Sequence, residues 1–90
     1  MTKRDEILLE ILRVGVLNAR FAGWKGDAAK AAHEADHVHN LPIIIRNGDK
    51  RDLHYYWDAE RPAYQKSADP TFLQMFEPLW GELRQHLEGE

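Results

Sequence analysis

Residues 67–87 read SADPTFLQMFEPLWGELRQHL, and this stretch decides the fold class. Large apolar side chains recur in it at the i, i+3, i+4 spacing of a helix with one buried face: Phe72, Phe76, Leu79, Trp80, Leu83 and Leu87. Asp69 followed by Pro70 is the arrangement of an N-cap and a first helical position. The stretch therefore predicts a final amphipathic helix from Pro70, bent by the internal Pro78.

The N-terminal stretch predicts another helix. Thr2 and Asp5 fit a capping pattern, and Gly23 is expected to take the left-handed position that ends the helix. Its apolar residues cover more than one stripe: Ile7, Leu8, Leu9, Ile11, Leu12, Val14, Val16, Leu17 and Phe21. We interpret this wide apolar arc as a central helix, part of which faces a second subunit.

A second helix is predicted from the N-cap Asp27 to Asn40, because Pro42 cannot continue a helix without loss of a hydrogen bond. One face carries small side chains that suit close packing on the first helix: Ala28, Ala31, Ala32, Ala35 and Val38. His39 falls on the same side, so we expect it to be mostly buried. Residues 42–47 are read as a short helix or an extended linker whose isoleucines close the end of the bundle.

A third helix is expected after an N-cap at Asp49 or Asp52, with a kink or an end near Arg61 caused by Pro62. One face of it forms an aromatic wall, defined by Leu53, Tyr56, Trp57 and Tyr64. The fold class predicted is all-α: a small antiparallel helical bundle of three long helices plus a short helix or irregular segment, forming one domain over residues 1–90.

Composition argues against several classes of partner. The 12 basic and 15 acidic residues are interspersed and give a net charge of -3, so nucleic acid is not expected as a partner. No apolar run approaches the roughly 18 residues of a membrane span, and a cytoplasmic protein is predicted. Because the chain has no cysteine, additional stability must come from self-association, a partner protein or a metal ion.

Residues 33–37 read HEADH, which resembles the H-E-x-x-H helix of the zincin metalloproteases. The resemblance implies zinc as a cofactor, His33 and His37 as its ligands, and Glu34 as the general base. Glu60 is the candidate third ligand, with Asp58 and His54 as further choices. The match covers five residues, and residue 43 is isoleucine where the metzincin pattern has a third histidine.

Metal binding without proteolysis is a second interpretation of the same residues. In helical projection His33 and His37 lie opposite the alanines, beside Lys30, which is also what a solvated polar face would show. A carboxylate or the equivalent pair from a second subunit would complete such a site.

The run Tyr55, Tyr56 and Trp57 indicates an interface or a ligand pocket, because three consecutive aromatic side chains on a helix cannot all face one core. His39 and His54 are candidate polar members of that site.

The function predicted is a small non-enzymatic cytoplasmic protein-interaction or regulatory module without a cofactor, which associates with itself as a homo-oligomer or with another protein. One alternative is a metal-binding protein or metal-dependent hydrolase that uses residues 33–37. The other is a small-ligand-binding protein with a pocket between the second helix, which carries the alanines, and the aromatic wall.

Overall fold

The computed structural model describes residues 2–47, 51, 54 and 56–89, with the backbone alone at residues 44, 45, 47, 56 and 60. The described elements, in chain order, are helix α1 (Lys3–Trp24), helix α2 (Ala28–Asn47), a π-helical segment (Tyr56–Glu60), helix α3 (Arg61–Ser67) and helix α4 (Pro70–Gly89). No strand occurs among these residues. The predicted fold class, three long helices and a short element in a small bundle, is confirmed.

Side-chain caps begin each of the three long helices. The Oγ1 atom of Thr2 accepts from the backbone N–H of Asp5 at 3.2 Å, and Oδ1 of Asp27 accepts from that of Lys30 at 2.9 Å. Oδ1 of Asp69 accepts from the backbone N–H of Thr71 at 3.0 Å. Each cap satisfies an N–H group that has no partner within its own helix. All three predicted helix starts are confirmed.

The turn between α1 and α2 differs from the expectation at Gly23. That residue is helical, and the left-handed position falls three residues later at Gly26, where φ is 81°. The N–H of Gly26 donates to the carbonyl of Gly23, and the N–H of Asp27 donates to the carbonyl of Ala22. This is the Schellman pattern, which satisfies the last carbonyl groups of α1 and turns the chain back along it.

Helix α2 does not end at Asn40 as predicted but continues through Pro42 to Asn47. Proline in a helix interior costs about 3 kcal/mol, because the carbonyl one turn earlier loses its donor. Leu41 is fully buried in the core, and burying a leucine contributes about 1.5–3 kcal/mol, which offsets much of that cost. Ile43 is exposed, so it does not close the end of the bundle; the side chains of Ile44 and Ile45 lie outside the described part.

The segment immediately before α3 forms a wider helical turn than expected. Tyr56–Glu60 is π-helical, and α-helical geometry begins at Arg61, one residue before Pro62. Pro62 therefore lies in the first turn of α3, where a helix does not need its N–H group. The irregularity predicted near Arg61 is thus a change of helical pitch. Asp49, Asp52 and Leu53 lie outside the described residues.

The hydrophobic core joins α1 to α4 and includes one residue each of α2 and α3. Its buried members are Ile7, Leu8, Ile11, Val14, Leu41, Tyr64, Phe76, Trp80, Leu83 and Leu87. The Tyr64 ring packs 4.5 Å from that of Phe76, and half-buried Trp57 packs 6.2 Å from Trp80, measured between ring centroids. Part of the predicted aromatic wall is therefore core. Among the helices described here, none has the length and apolarity needed to cross a bilayer.

At Gly15, helix α1 lies close to both α2 and α3. A Cβ atom at this position would lie 2.8 Å from Cγ2 of Val38 in α2 and 3.1 Å from the hydroxyl oxygen of Tyr64 in α3. The first distance is shorter than two carbon atoms tolerate without movement. Only a residue without a side chain allows this approach of α2 to α1.

Candidate functional site

The buried face of α2 is centred on a carboxyl group. Half-buried Ala31 and Val38 and buried Glu34 and Leu41 follow one another at spacings of three and four residues. This face lies to one side of the alanine face expected from the sequence. His39 is turned by about 140° from Glu34 in helical projection, so it is exposed and the prediction that it is buried was wrong.

Glu34 and Asn18 form a buried polar pair between α2 and α1. The side-chain amide of Asn18 donates to Oε2 of Glu34 at 3.0 Å, and both residues have almost no exposed surface. Oδ1 of Asn18 accepts from the backbone N–H of Asp69 at 3.3 Å. One side chain of α1 therefore contacts α2 and the N-terminus of α4 at the same time.

The second carboxyl oxygen of Glu34, Oε1, is buried without a hydrogen-bond partner in the described part of the chain. The zincin resemblance assigns to this residue the activation of a metal-bound water, which requires a carboxylate beside a solvent-accessible metal. In the structure the carboxyl group is enclosed in the core and bonded to α1. This placement favours a structural role for Glu34.

His33 and His37 come together on one side of α2. Their Nε2 atoms are 3.1 Å apart, and the two rings meet edge to face with centroids 4.6 Å apart. His33 is exposed, whereas half-buried His37 lies against the Tyr64 ring with 5.4 Å between centroids. The helical spacing thus places the two side chains on one side of α2, as predicted from the sequence.

No third ligand joins this pair in the described structure. Within residues 2–47, 51, 54 and 56–89, no group of three or more histidine or acidic side chains is placed to hold a metal ion. His54 and Asp58 are exposed. The side chain of Glu60, the predicted third ligand, lies outside the described part, so its role stays a prediction.

The predicted aromatic site is only partly described. Tyr55 and the side chain of Tyr56 lie outside the described residues. Trp57 is half-buried, with the guanidinium carbon of Arg61 4.2 Å and that of Arg84 5.5 Å from its ring centroid. Part of the Trp57 ring is therefore already in contact with arginine side chains of α3 and α4.

A surface that the sequence did not specify lies between α1 and α2. It is a shallow, largely apolar groove of about 230 Å³, lined by Val16, Ala19, Arg20, Ala35 and Val38. Leu9, Val16 and Trp24 are exposed on the same side of α1, within an arc of about 80° in helical projection. Trp24 is 80% exposed. We call the groove together with the exposed side chains of Leu9 and Trp24 the α1–α2 face.

A second cavity, of about 210 Å³, lies where α1 ends and α2 and α4 begin, and it is lined by Asn18, Lys25, Lys30 and Asp69 among others. Nζ of Lys25 lies 2.9 Å from Oδ2 of Asp69. The hydrogen bond from Lys25, followed by that from the backbone N–H of Thr71, lowers the pKa of the Asp69 carboxyl below its usual value. This cavity is thus bordered by an ion pair of the chain itself.

Comparison of the chain with family models, with curated proteins and with solved structures finds no match.

Proposed function

We propose that this chain is a non-enzymatic protein-interaction module that associates with a second copy of itself through the α1–α2 face. The observation that carries the proposal is the exposure of Leu9, Val16 and Trp24 on one side of a helix that already packs against α2 and α4 on its other sides. Exposed large apolar side chains that share one side of a helix are typical of interaction surfaces.

The face is suited to a copy of itself because it offers both a groove and side chains that can enter one. Ala19 and Ala35 are small and leave the groove open, while Val16 lines it and Leu9 is exposed two turns before Val16 on α1. A two-fold symmetric interface requires such self-complementarity, since the same surface is used by both subunits. Association would also add buried apolar area to a small core that no disulfide reinforces.

The composition of the face supports the same proposal. Tryptophan and arginine are the residue types most enriched among those that dominate binding energy at protein interfaces. Trp24 and Arg20 lie one turn apart on α1, and both are exposed. A cytoplasmic location, and a regulatory role for the association, are part of this proposal.

The hydrolase alternative receives less support. Its general base, Glu34, is enclosed between α1 and α2 and accepts a hydrogen bond from Asn18. A hydrolytic role would need that carboxyl group to leave the core. Metal binding by the histidine pair does not depend on Glu34 and is considered separately below.

The experiment that tests self-association is sedimentation velocity of the untagged chain over a wide range of concentration, with Val16→Glu as the test variant. Val16 is 40% exposed, so the glutamate can reach solvent in the monomer but would be buried without a partner in the dimer. Met75→Glu is the matched control, since Met75 is similarly exposed but lies on α4.

We expect the wild-type chain and Met75→Glu to form dimers and Val16→Glu to stay monomeric, with unchanged circular dichroism in all three. A wild-type chain that is monomeric at every concentration would overturn the proposal. Equal dimerisation of Val16→Glu and Met75→Glu would show that the chain associates through another surface.

A further inference from the structure

We propose that His33 and His37 form a chelating site for a divalent transition-metal ion of the zinc, copper or nickel class, with water at the remaining coordination positions. The site goes beyond self-association and lies on another part of α2. The groove side of that helix carries Ala35 and Val38, whereas His37 lies beside Tyr64 of α3.

The distance between the two Nε2 atoms suits a shared metal ion. With metal–nitrogen bonds of about 2.0–2.1 Å, two ligands of one ion lie about 3.3 Å apart in a tetrahedral site. They lie about 2.9 Å apart where the ligand angle is 90°, as in the tetragonal sites of copper and nickel. The observed separation of 3.1 Å between the Nε2 atoms falls between these values. The two nitrogen atoms are therefore already at a separation that suits binding to one ion.

Without an ion, the two rings are hydrogen-bonded to each other. At 3.1 Å one ring donates an Nε2–H group to the lone pair of the other. A metal ion replaces that shared hydrogen once the donor ring carries its proton on Nδ1 instead. Each ring then turns until the lone pair of its Nε2 atom points at the ion and no longer at the other ring, as metal-bound imidazoles require.

Helix α2 and the Tyr64 ring restrict the positions of the two histidines. The two histidines are one helical turn apart on a helix, and His37 is half-buried against the Tyr64 ring. The His37 side chain is therefore already ordered by packing before an ion binds. His33 is exposed, so an ion and its bound water molecules have access from solvent.

The pair also limits which ions bind. Neutral imidazole suits zinc, copper and nickel, whereas magnesium and calcium prefer oxygen ligands. With two ligands from the chain, the ion keeps exchangeable positions that a substrate-like donor or a buffer molecule can occupy. We therefore expect reversible binding, unlike that of a closed structural zinc site.

The test is isothermal titration calorimetry of the untagged chain with zinc chloride, using His33→Ala, His37→Ala and His39→Ala. His39 is the matched control, because it is an exposed histidine of the same helix but has no histidine one turn away. Wild type and His39→Ala should bind one ion per chain with equal affinity, and magnesium should not bind. His33→Ala and His37→Ala should each lose at least about tenfold in affinity, since even the groups that support a ligand contribute that much.

His33→Ala decides the result if His37→Ala disturbs packing on Tyr64, because His33 is exposed and its removal leaves the core unchanged. In nuclear magnetic resonance spectra, zinc should shift the ring nitrogen signals of His33 and His37 but not those of His39. Unchanged zinc affinity in His33→Ala, or zinc-dependent shifts centred on other histidines, would overturn the proposal. Neither result depends on whether the chain dimerises.

Discussion

Asn18 and Glu34 are bonded to each other at 3.0 Å in the interior of the bundle, and each is the polar member of an otherwise apolar helix face. A buried carboxyl group is costly unless donors reach it, and Asn18 supplies the one donor within the described residues. Removal of the donor should therefore matter more than removal of the charge.

We expect Asn18→Ala to lower the free energy of unfolding by about 2–4 kcal/mol, because it leaves a buried carboxyl group without a hydrogen bond. Glu34→Gln keeps an oxygen acceptor for Asn18 and should cost less. In the double variant the loss should be smaller than the sum of the two. Chemical denaturation measures all three values. An Asn18→Ala chain within about 0.5 kcal/mol of wild type would contradict the role of the bond.

Gly15→Ala should destabilise the chain by about 1–3 kcal/mol, because its Cβ would meet Val38 at 2.8 Å. Gly81→Ala is the control: nothing lies within 4 Å of a Cβ there, and alanine should stabilise the helix by about 0.5–1 kcal/mol. Adding Val38→Ala to Gly15→Ala should restore part of the loss. Thermal and denaturant unfolding would reveal the opposite signs, and equal effects at the two glycines would refute the close approach.

Pro42→Ala should stabilise the chain by about 1–3 kcal/mol, since Pro42 is exposed and alanine restores an N–H donor within α2. Pro70→Ala should change stability by less than about 0.5 kcal/mol, because the first position of α4 needs no N–H donor. Denaturation midpoints provide the comparison. A loss of stability in Pro42→Ala would mean that α2 ends before residue 42.

Asp69→Asn should make the free energy of unfolding less dependent on pH in the acidic range. The pKa of Asp69 is lowered in the folded chain, so its contribution is present above about pH 4 and is lost as the pH falls through the folded pKa. Asparagine keeps the cap but not the ion pair with Lys25. The melting temperature of wild type should therefore exceed that of Asp69→Asn at neutral pH, and the difference should vanish toward pH 2. A constant difference across this range would argue against the titration.

Features set by neighbouring residues were predicted correctly from the sequence. Thr2, Asp27 and Asp69 cap their helices because a short polar side chain satisfies N–H groups two or three residues ahead. The apolar periodicity of α4 agrees with its buried residues. The spacing of His33 and His37 predicted that they share one side of their helix, and their Nε2 atoms lie 3.1 Å apart there.

Features that depend on tertiary packing were predicted less well. Pro42 indicates the end of a helix by local rules, and only the burial of Leu41 shows why α2 continues. Helical spacing groups His39 with the alanines of α2, but the structure buries the face that carries Glu34 and leaves His39 exposed. A signal was present: Asn18 follows Leu8, Ile11 and Gly15 at helical spacing. A polar residue within an apolar stripe indicates a buried partner on another element.

The hydrogen bond from Asp69 to Asn18 has a consequence for the order of assembly, because it joins residues 51 positions apart in the chain. The pairing of α1 with α2 is local by comparison, since a turn of three residues connects them. Loop closure over longer separations is slower, so we expect the α1–α2 hairpin to form before α4 is held at its N-terminus. The amide of Asn18 would then be oriented by Glu34 before Asp69 arrives, and the last helix would dock onto an acceptor already in place.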